Sequence, residues 1–289
     1  MVNSNYFVGI GAAKSGTTWL ADYLYSHPQV ALSPIKELHY FDARYCEEYC
    51  GHWNAKWLNI LEELEIKNFH HPSPDLEEKI RNVSFRIEMT DSPARYVDYF
   101  DSFVEERHSV FGEITPSYSM LPTRGFSEIK DIYPHAKFVF LMRDPVSRYL
   151  SQIRFISQLR MVEGKKPLKG FDANAVAVEY LSKPEYHLRG DYQSTLENLL
   201  QATDQESVCV LFYEHLFEGT RESQELTMLC DFLGIEFRPS HSTAKVNASG
   251  EFEFDRNVIT HVRQYFSATY EFVDRKYGFR APRSWNWNG

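Results

Sequence analysis

The chain of 289 residues has only four cysteines, and Cys46, Cys50, Cys209 and Cys230 fall at no spacing that pairs them as metal ligands. That sets aside the disulfide-dense and zinc-ribbon classes and leads us to expect reduced thiols in a cytoplasmic protein. No apolar run reaches the roughly 18 residues of a membrane-spanning helix. Tandem repeats, low-complexity tracts and Gly/Ser-rich linkers are also missing, so a single domain over 1–289 is expected. The first strand-like run begins near residue 6, from which we expect no signal peptide. Basic charge is short as well, with 31 Lys and Arg against 40 Asp and Glu and a net charge of −9. A protein that tracks nucleic acid or another long polyanion carries a basic groove. Here only Lys165-Lys166 with Lys169 forms a cationic cluster. Neither a nucleic-acid partner nor stable membrane association is expected.

What the chain does have is strand-type apolar runs at 6–10, 30–32, 110–114, 137–142 and 207–213. They alternate with helical patterns at 17–26, 146–159, 222–233 and 258–277. Such alternation calls for crossover connections and a buried parallel sheet. We expect a three-layer α/β, P-loop-like fold with a central parallel sheet flanked by helices. The stretch 45–93, aromatic at first and then polar with prolines, interrupts the pattern. Insertions of this kind usually cover the active-site end of the sheet, so it is expected on the acceptor side of a ligand pocket, with the loop 163–170.

Gly11-Ala12-Ala13-Lys14-Ser15-Gly16-Thr17-Thr18 follows the first apolar run directly and opens the first helical pattern. Small residues let backbone N–H groups turn toward one anion, and the helix N-terminus adds partial positive charge. Ser15, Thr17 and Thr18 supply hydroxyls and Lys14 a full charge. A nucleotide-hydrolysing loop reads G-x-x-x-x-G-K-[ST]. Here Thr17 takes the place of that lysine, and the lysine lies inside the loop. A second clamp is expected where the 137–142 run ends in Arg143-Asp144-Pro145. Pro145 suits a first helical turn, and Ser147 and Ser151 follow Arg143 at i+4 and i+8. An arginine fork with serine hydroxyls grips phosphate in bidentate fashion, at the strand ends where ligands of α/β sheets collect.

The order Lys14-Ser15-Gly16-Thr17-Thr18-Trp19 resembles the 5′-phosphosulfate loop of the sulfotransferases that use 3′-phosphoadenosine 5′-phosphosulfate (PAPS). Arg143 with Ser151 is similar to that family's grip on the donor's 3′-phosphate. Lys36-Glu37-Leu38-His39-Tyr40-Phe41-Asp42 resembles the K-E-x-x-F-F-D segment of members that act on heparan and related glycans, in which the Glu is the general base. The resemblance implies transfer of a sulfuryl group from PAPS to a hydroxyl of a small-molecule, sugar or lipid acceptor, with no metal required. Glu37 then takes the acceptor proton and Lys14 stabilises charge on the leaving phosphate oxygen. His39 is a rival base, since the soluble small-molecule members use a histidine. Gly112 to Tyr118 looks like the family's E-K-S-P-x-Y segment but has Ile114 in place of the lysine, leaving Glu113, Thr115 and Ser117 to act. Asp191-Tyr192 is similar to the segment that brings a tyrosine, here Tyr192, near the adenosine. Lys245-Val246-Asn247 resembles the loop over the nucleotide, which makes Lys245 and Asn247 donor contacts. The net charge favours a neutral or small acceptor. Two other readings stay open: a P-loop kinase or NTPase, against which the missing lysine after Gly16 stands, and a non-catalytic nucleotide-binding protein, against which the pairing of Lys14 with Glu37 stands.

Overall fold

A computed structural model of the chain describes residues 5–162, 172–218, 221–240 and 253–285. Its strands are β1 (Asn5–Gly11), β2 (Val30–Leu32), β3 (Val110–Ile114), β4 (Lys137–Met142) and β5 (Val208–Phe212). They form one all-parallel sheet in the order β2-β3-β1-β4-β5. Alternate residues serve opposite faces, as a three-layer arrangement requires. Val8, Phe138, Phe140 and Val210 belong to one apolar cluster, while Phe7, Val139, Leu141, Cys209 and Leu211 belong to another. Burial on both faces explains why these segments read as unbroken apolar runs.

Central β1 pairs with β3 from Asn5↔Val110 to Gly9↔Ile114 and with β4 from Phe7↔Lys137 onward. From β1 the chain moves to β2 on one side, and from β4 it moves to β5 on the other. The crevice at the carboxyl ends of β1 and β4 is therefore the switch point of the sheet, where ligands of open α/β folds bind.

Two elements differ from the sequence reading. The helix expected over 258–277 is two helices, Arg256–Tyr265 and Ser267–Tyr277, because Phe266 turns inward and packs 5.9 Å from the Tyr149 ring. The stretch 45–93, which showed no helical pattern, contains the helices His52–His70 and Pro74–Glu88, and the helix Pro93–Asp101 closes it. Ser73 and Ser92 cap the latter two, accepting from Leu76 N and Arg95 N, with proline at the start of each. The His52–His70 helix fully buries only Trp57, so it has no apolar stripe to read. All four cysteines are buried and unpaired. Among the described residues no helix is long and apolar enough to cross a membrane.

Candidate active site

β1 ends at Gly11, and the helix Thr17–Tyr25 begins behind Gly16, which holds a left-handed φ of 89°. A Cβ at Gly16 would lie 2.8 Å from the Phe217 ring, so both conformation and space demand glycine. No side chain caps the first turn of that helix, and no acidic residue lies in it. Its N-terminus is left to an external anion. Lys14 sits 4.0 Å over the Phe155 ring; burial and then the neighbouring Arg143 lower its pKa to about 8, against the pull of Glu37.

Arg143 follows β4. Its Nη1 donates to the Lys14 carbonyl at 3.0 Å, tying the second clamp to the first loop, and its guanidinium lies 4.3 Å over Tyr213. Asp144 is occupied elsewhere: Oδ1 accepts from Ser147 N at 2.7 Å and Oδ2 from the Tyr270 hydroxyl. A cavity of about 420 Å³ opens between these corners. Lys14, Gly16, Thr17, Thr18, Arg143 and Ser151 line it, as do Lys36, Glu37 and Ser117. Among the described residues, Arg154 and Arg189 bring the cationic side chains of the lining to five, against the single carboxylate of Glu37. Beside it, Ser15 Oγ and Arg143 Nε are buried without a hydrogen-bond partner among the described residues. Unpartnered buried donors around a cationic cavity fit a ligand with several negative charges, such as a nucleotide with phosphates at both ends.

Opposite the cradle stands the segment after β2. Lys36 Nζ donates to Thr18 Oγ1 at 2.8 Å and to Glu37 Oε1 at 3.1 Å. Glu37 Oε2 faces His39 Nε2 at 3.6 Å, an ion-pair contact beyond hydrogen-bond reach. His39 Nδ1 meets Asp42 Oδ2 at 2.6 Å, and its ring stacks 3.6 Å from Trp53. Burial acts to raise the Glu37 pKa, but the facing imidazole and Lys36 outweigh it and hold the carboxylate at about 2. Burial likewise acts against charge on His39, yet Asp42 and Glu37 together raise its pKa. Glu37 reaches the cavity with a side chain 34% exposed, whereas His39 is 2% exposed and does not line it.

Other residues singled out in the sequence lie deeper. Trp19 packs between Tyr23 and Phe217 in the core. Tyr192 does not line the cavity: it is fully buried, and its hydroxyl donates to the Arg143 carbonyl at 2.6 Å while its ring packs on Phe140. It supports the Arg143 corner from beneath. Glu113 is wholly buried and accepts from Tyr96, Thr115 and Tyr118, a satisfied polar core group. Lys245, Asn247 and the loop 163–170 lie outside the described residues. No described side chain of 45–93 lines the cavity; that stretch meets the site from behind, through Trp53 on His39 and Arg86 on the carbonyls of Leu38 and His39. Asp42, at i+3 from His39 in the quoted segment, was legible as its partner; nothing in the sequence marks Arg86.

A parallel sheet with an anion cradle after its central strand, an arginine after the adjoining one and a carboxylate across the cavity defines a P-loop-like group-transfer architecture. The model of the sulfotransferase family matches residues 7–239, and the chain belongs to that family. The membrane-associated sulfotransferase kil1 of Dictyostelium discoideum is 29% identical over 167 residues, 56% of this chain. The match spans 25% of that relative's length. The crystal structure of a sulfotransferase from Alicyclobacillus acidocaldarius, 19% identical and covered over 99% of both chains, superposes with a TM-score of 0.65 and shows the same fold. Mouse sulfotransferase SULT7A1, complexed with PAP, is 16% identical over 97% of this chain and 88% of its own, with a TM-score of 0.49.

Proposed function

We propose that this protein transfers a sulfuryl group from PAPS to a hydroxyl of a small-molecule, sugar or lipid acceptor. One observation carries the reading: two anion clamps, at Lys14 to Thr18 and at Arg143 with Ser151, open into the same cavity as one carboxylate, Glu37. The loop N–H groups, Thr17, Thr18 and Lys14 hold the 5′-phosphosulfate, and Arg143 with Ser151 holds the 3′-phosphate. Glu37 takes the acceptor proton as the acceptor oxygen bonds to sulfur and the bond from sulfur to the bridging phosphate oxygen breaks. Lys14 stabilises the charge left on that oxygen. The reading needs no resident metal, since Lys14 supplies the cation.

His39 is assigned to bracing rather than to proton transfer, because it is covered while Glu37 is not. Lys36 spans the two halves. Its bond to Glu37 favours the carboxylate form and so weakens it as a base. A phosphosulfate in the loop offers Lys36 a stronger partner, and its release from Glu37 raises the proton affinity of the base only when donor is present. The stretch 45–93 is assigned to the acceptor side as a buttress of the base segment, within one domain. Four buried, unpaired thiols suit a reducing compartment such as the cytoplasm.

Thermal unfolding with metal-free ligands tests the donor assignment. 3′-Phosphoadenosine 5′-phosphate (PAP) should raise Tm well above the effect of ATP or adenosine 5′-phosphosulfate, since tight binding to the folded state alone stabilises it. Arg143→Ala should remove most of the preference for a 3′-phosphate. Stronger stabilisation by magnesium-ATP than by PAP would overturn the assignment. Incubating PAPS with an acceptor panel, and reading mass spectra for the gain of one sulfuryl group, then identifies the acceptor.

A further inference from the structure

Arg86, on the inserted helix Pro74–Glu88, is 1% exposed. Among the described residues it forms no ion pair with a carboxylate, and burial acts to lower its pKa. Its guanidinium instead spends its donors on the base segment: Nε donates to the Leu38 carbonyl and Nη2 to the His39 carbonyl at 2.6 Å. Thr90 Oγ1, accepting from Nη1 at 3.1 Å, and Asn54 Oδ1, accepting from Nη2 at 3.3 Å, fix the plane of the fork. Burying an unpaired cation is costly, and an apolar side chain would fill the same helix face without that cost. The charge must therefore accomplish something that packing alone does not.

The segment it grips gives the reason. Glu37 and His39 both hold left-handed backbone conformations, with φ of 64° and 52°, on either side of Leu38. Non-glycine residues stay there only when their surroundings over-determine them. Arg86 holds the carbonyls of residues 38 and 39 from one side. From the other, the Tyr118 hydroxyl accepts from Tyr40 N at 3.1 Å and from Phe41 N at 3.4 Å. Trp53, one residue before Asn54, stacks on the His39 ring. Between these supports, Glu37 is aimed into the cavity and His39 is set between Glu37 and Asp42.

We propose that Arg86 is a positioning residue for the base: its fork holds residues 37–39 in the backbone conformation that aims Glu37. This rests on the reading of Glu37 as the base. It also explains why an insertion without a side chain in the cavity is packed against the site.

Arg86→Met and Arg86→Lys test it, the lysine keeping the charge without the fork. PAP affinity, measured by calorimetry, should stay within about twofold of wild type, because the donor corners do not touch Arg86. The decisive readout is the His39 ring titration followed by NMR. Removing a nearby cation by itself raises an imidazole pKa, whereas loss of positioning separates the ring from Glu37 and Asp42 and lowers the pKa toward its free value of about 6.5. We expect a fall in both variants, at least as large in Arg86→Lys, where no lost cation offsets it, and turnover lower by roughly tenfold to a hundredfold. A His39 pKa that is unchanged or raised, with PAP binding intact, overturns the proposal. Should Arg86→Met fail to fold, Arg86→Lys carries the test. Failure of the wild type to bind PAP would sink the sulfotransfer reading instead, and the two failures are told apart by that measurement.

Discussion

The two walls of the cavity are built by opposite means. Each donor corner is one strand running straight into one helix, β1 into Thr17–Tyr25 and β4 into Pro145–Val162, and its ligand groups lie within the turn or the first helical turns. The base segment has no regular structure of its own before Phe41. Arg86, 47 positions from His39, and Tyr118, 78 positions from Tyr40, hold it. Anion binding can be entrusted to backbone N–H groups and a helix end, which local sequence dictates. Aiming one carboxylate at an acceptor oxygen demands a tolerance that only convergent tertiary contacts supply.

Substitutions that separate the walls test this contrast, and the largest effect is expected on the donor side. Lys14→Ala should lower turnover by roughly a thousandfold and weaken PAP at least about tenfold, because the ammonium acts both on bound donor and on the developing charge. Glu37→Gln should cost roughly a hundredfold in turnover and leave PAP affinity within about twofold, the scale for loss of a general base. Rates follow from PAP release with an acceptor found in the panel, affinities from calorimetry. If Glu37→Gln weakens PAP as severely as Lys14→Ala, the walls do not act separately. Were His39→Ala to abolish turnover while Glu37→Gln spared it, His39 would be the base.

The same contrast decides what the sequence disclosed. The runs 30–32, 110–114 and 137–142 are strands with those bounds, because a strand buried on both faces leaves an uninterrupted apolar stretch. Lys14, Thr17, Thr18, Arg143 and Ser151 meet in one cavity because switch-point geometry is a property of the alternating pattern itself. Tyr192, expected beside the adenosine, is buried and bonded to the Arg143 carbonyl, since a tyrosine opening a helix looks the same whether it faces a cavity or supports a strand end. Arg86 was invisible: in a surface-like helix that also carries Lys79 and Arg81, nothing distinguishes the one cation turned inward. The kink at Phe266 was equally hidden, because apolar periodicity continues through it.

Lys36 bonds to both walls, through Thr18 and Glu37, so removing it sharpens the comparison at moderate cost. Lys36→Met should move the Glu37 pKa up from about 2, since a cation that lowers it is gone while burial still acts to raise it. Side-chain carboxyl chemical shifts followed through an acid titration would show this. PAP affinity should fall only a few-fold, the loss of one exposed charge among five. A Glu37 titration unmoved by Lys36→Met would mean that donor loading has no route to the base through this lysine.

The smallest effect concerns the donor wall's foundation and should appear in stability alone. Glu214 Oε1 accepts from Asp144 N at 2.8 Å, directly beside Arg143, and the side chain is buried. Burial pushes its pKa up to about 7, against the lowering influence of that same bond. Unfolded, it would titrate near 4.3. The folded state thus keeps a proton that the unfolded chain releases between these values: the contribution to stability is whole below about pH 4, declines as pH rises, and is lost above about 7. A shift of this size corresponds to at most about 4 kcal/mol. Glu214→Gln retains an acceptor oxygen for Asp144 N without the ionisable group. The variant should match wild type near pH 4.5 and melt a few degrees higher near pH 8, with PAP affinity unchanged at both. Parallel Tm profiles for the two proteins across that range would show that Glu214 is not held protonated, and would leave the Arg143 corner resting on Tyr192 and the Asp144 cap.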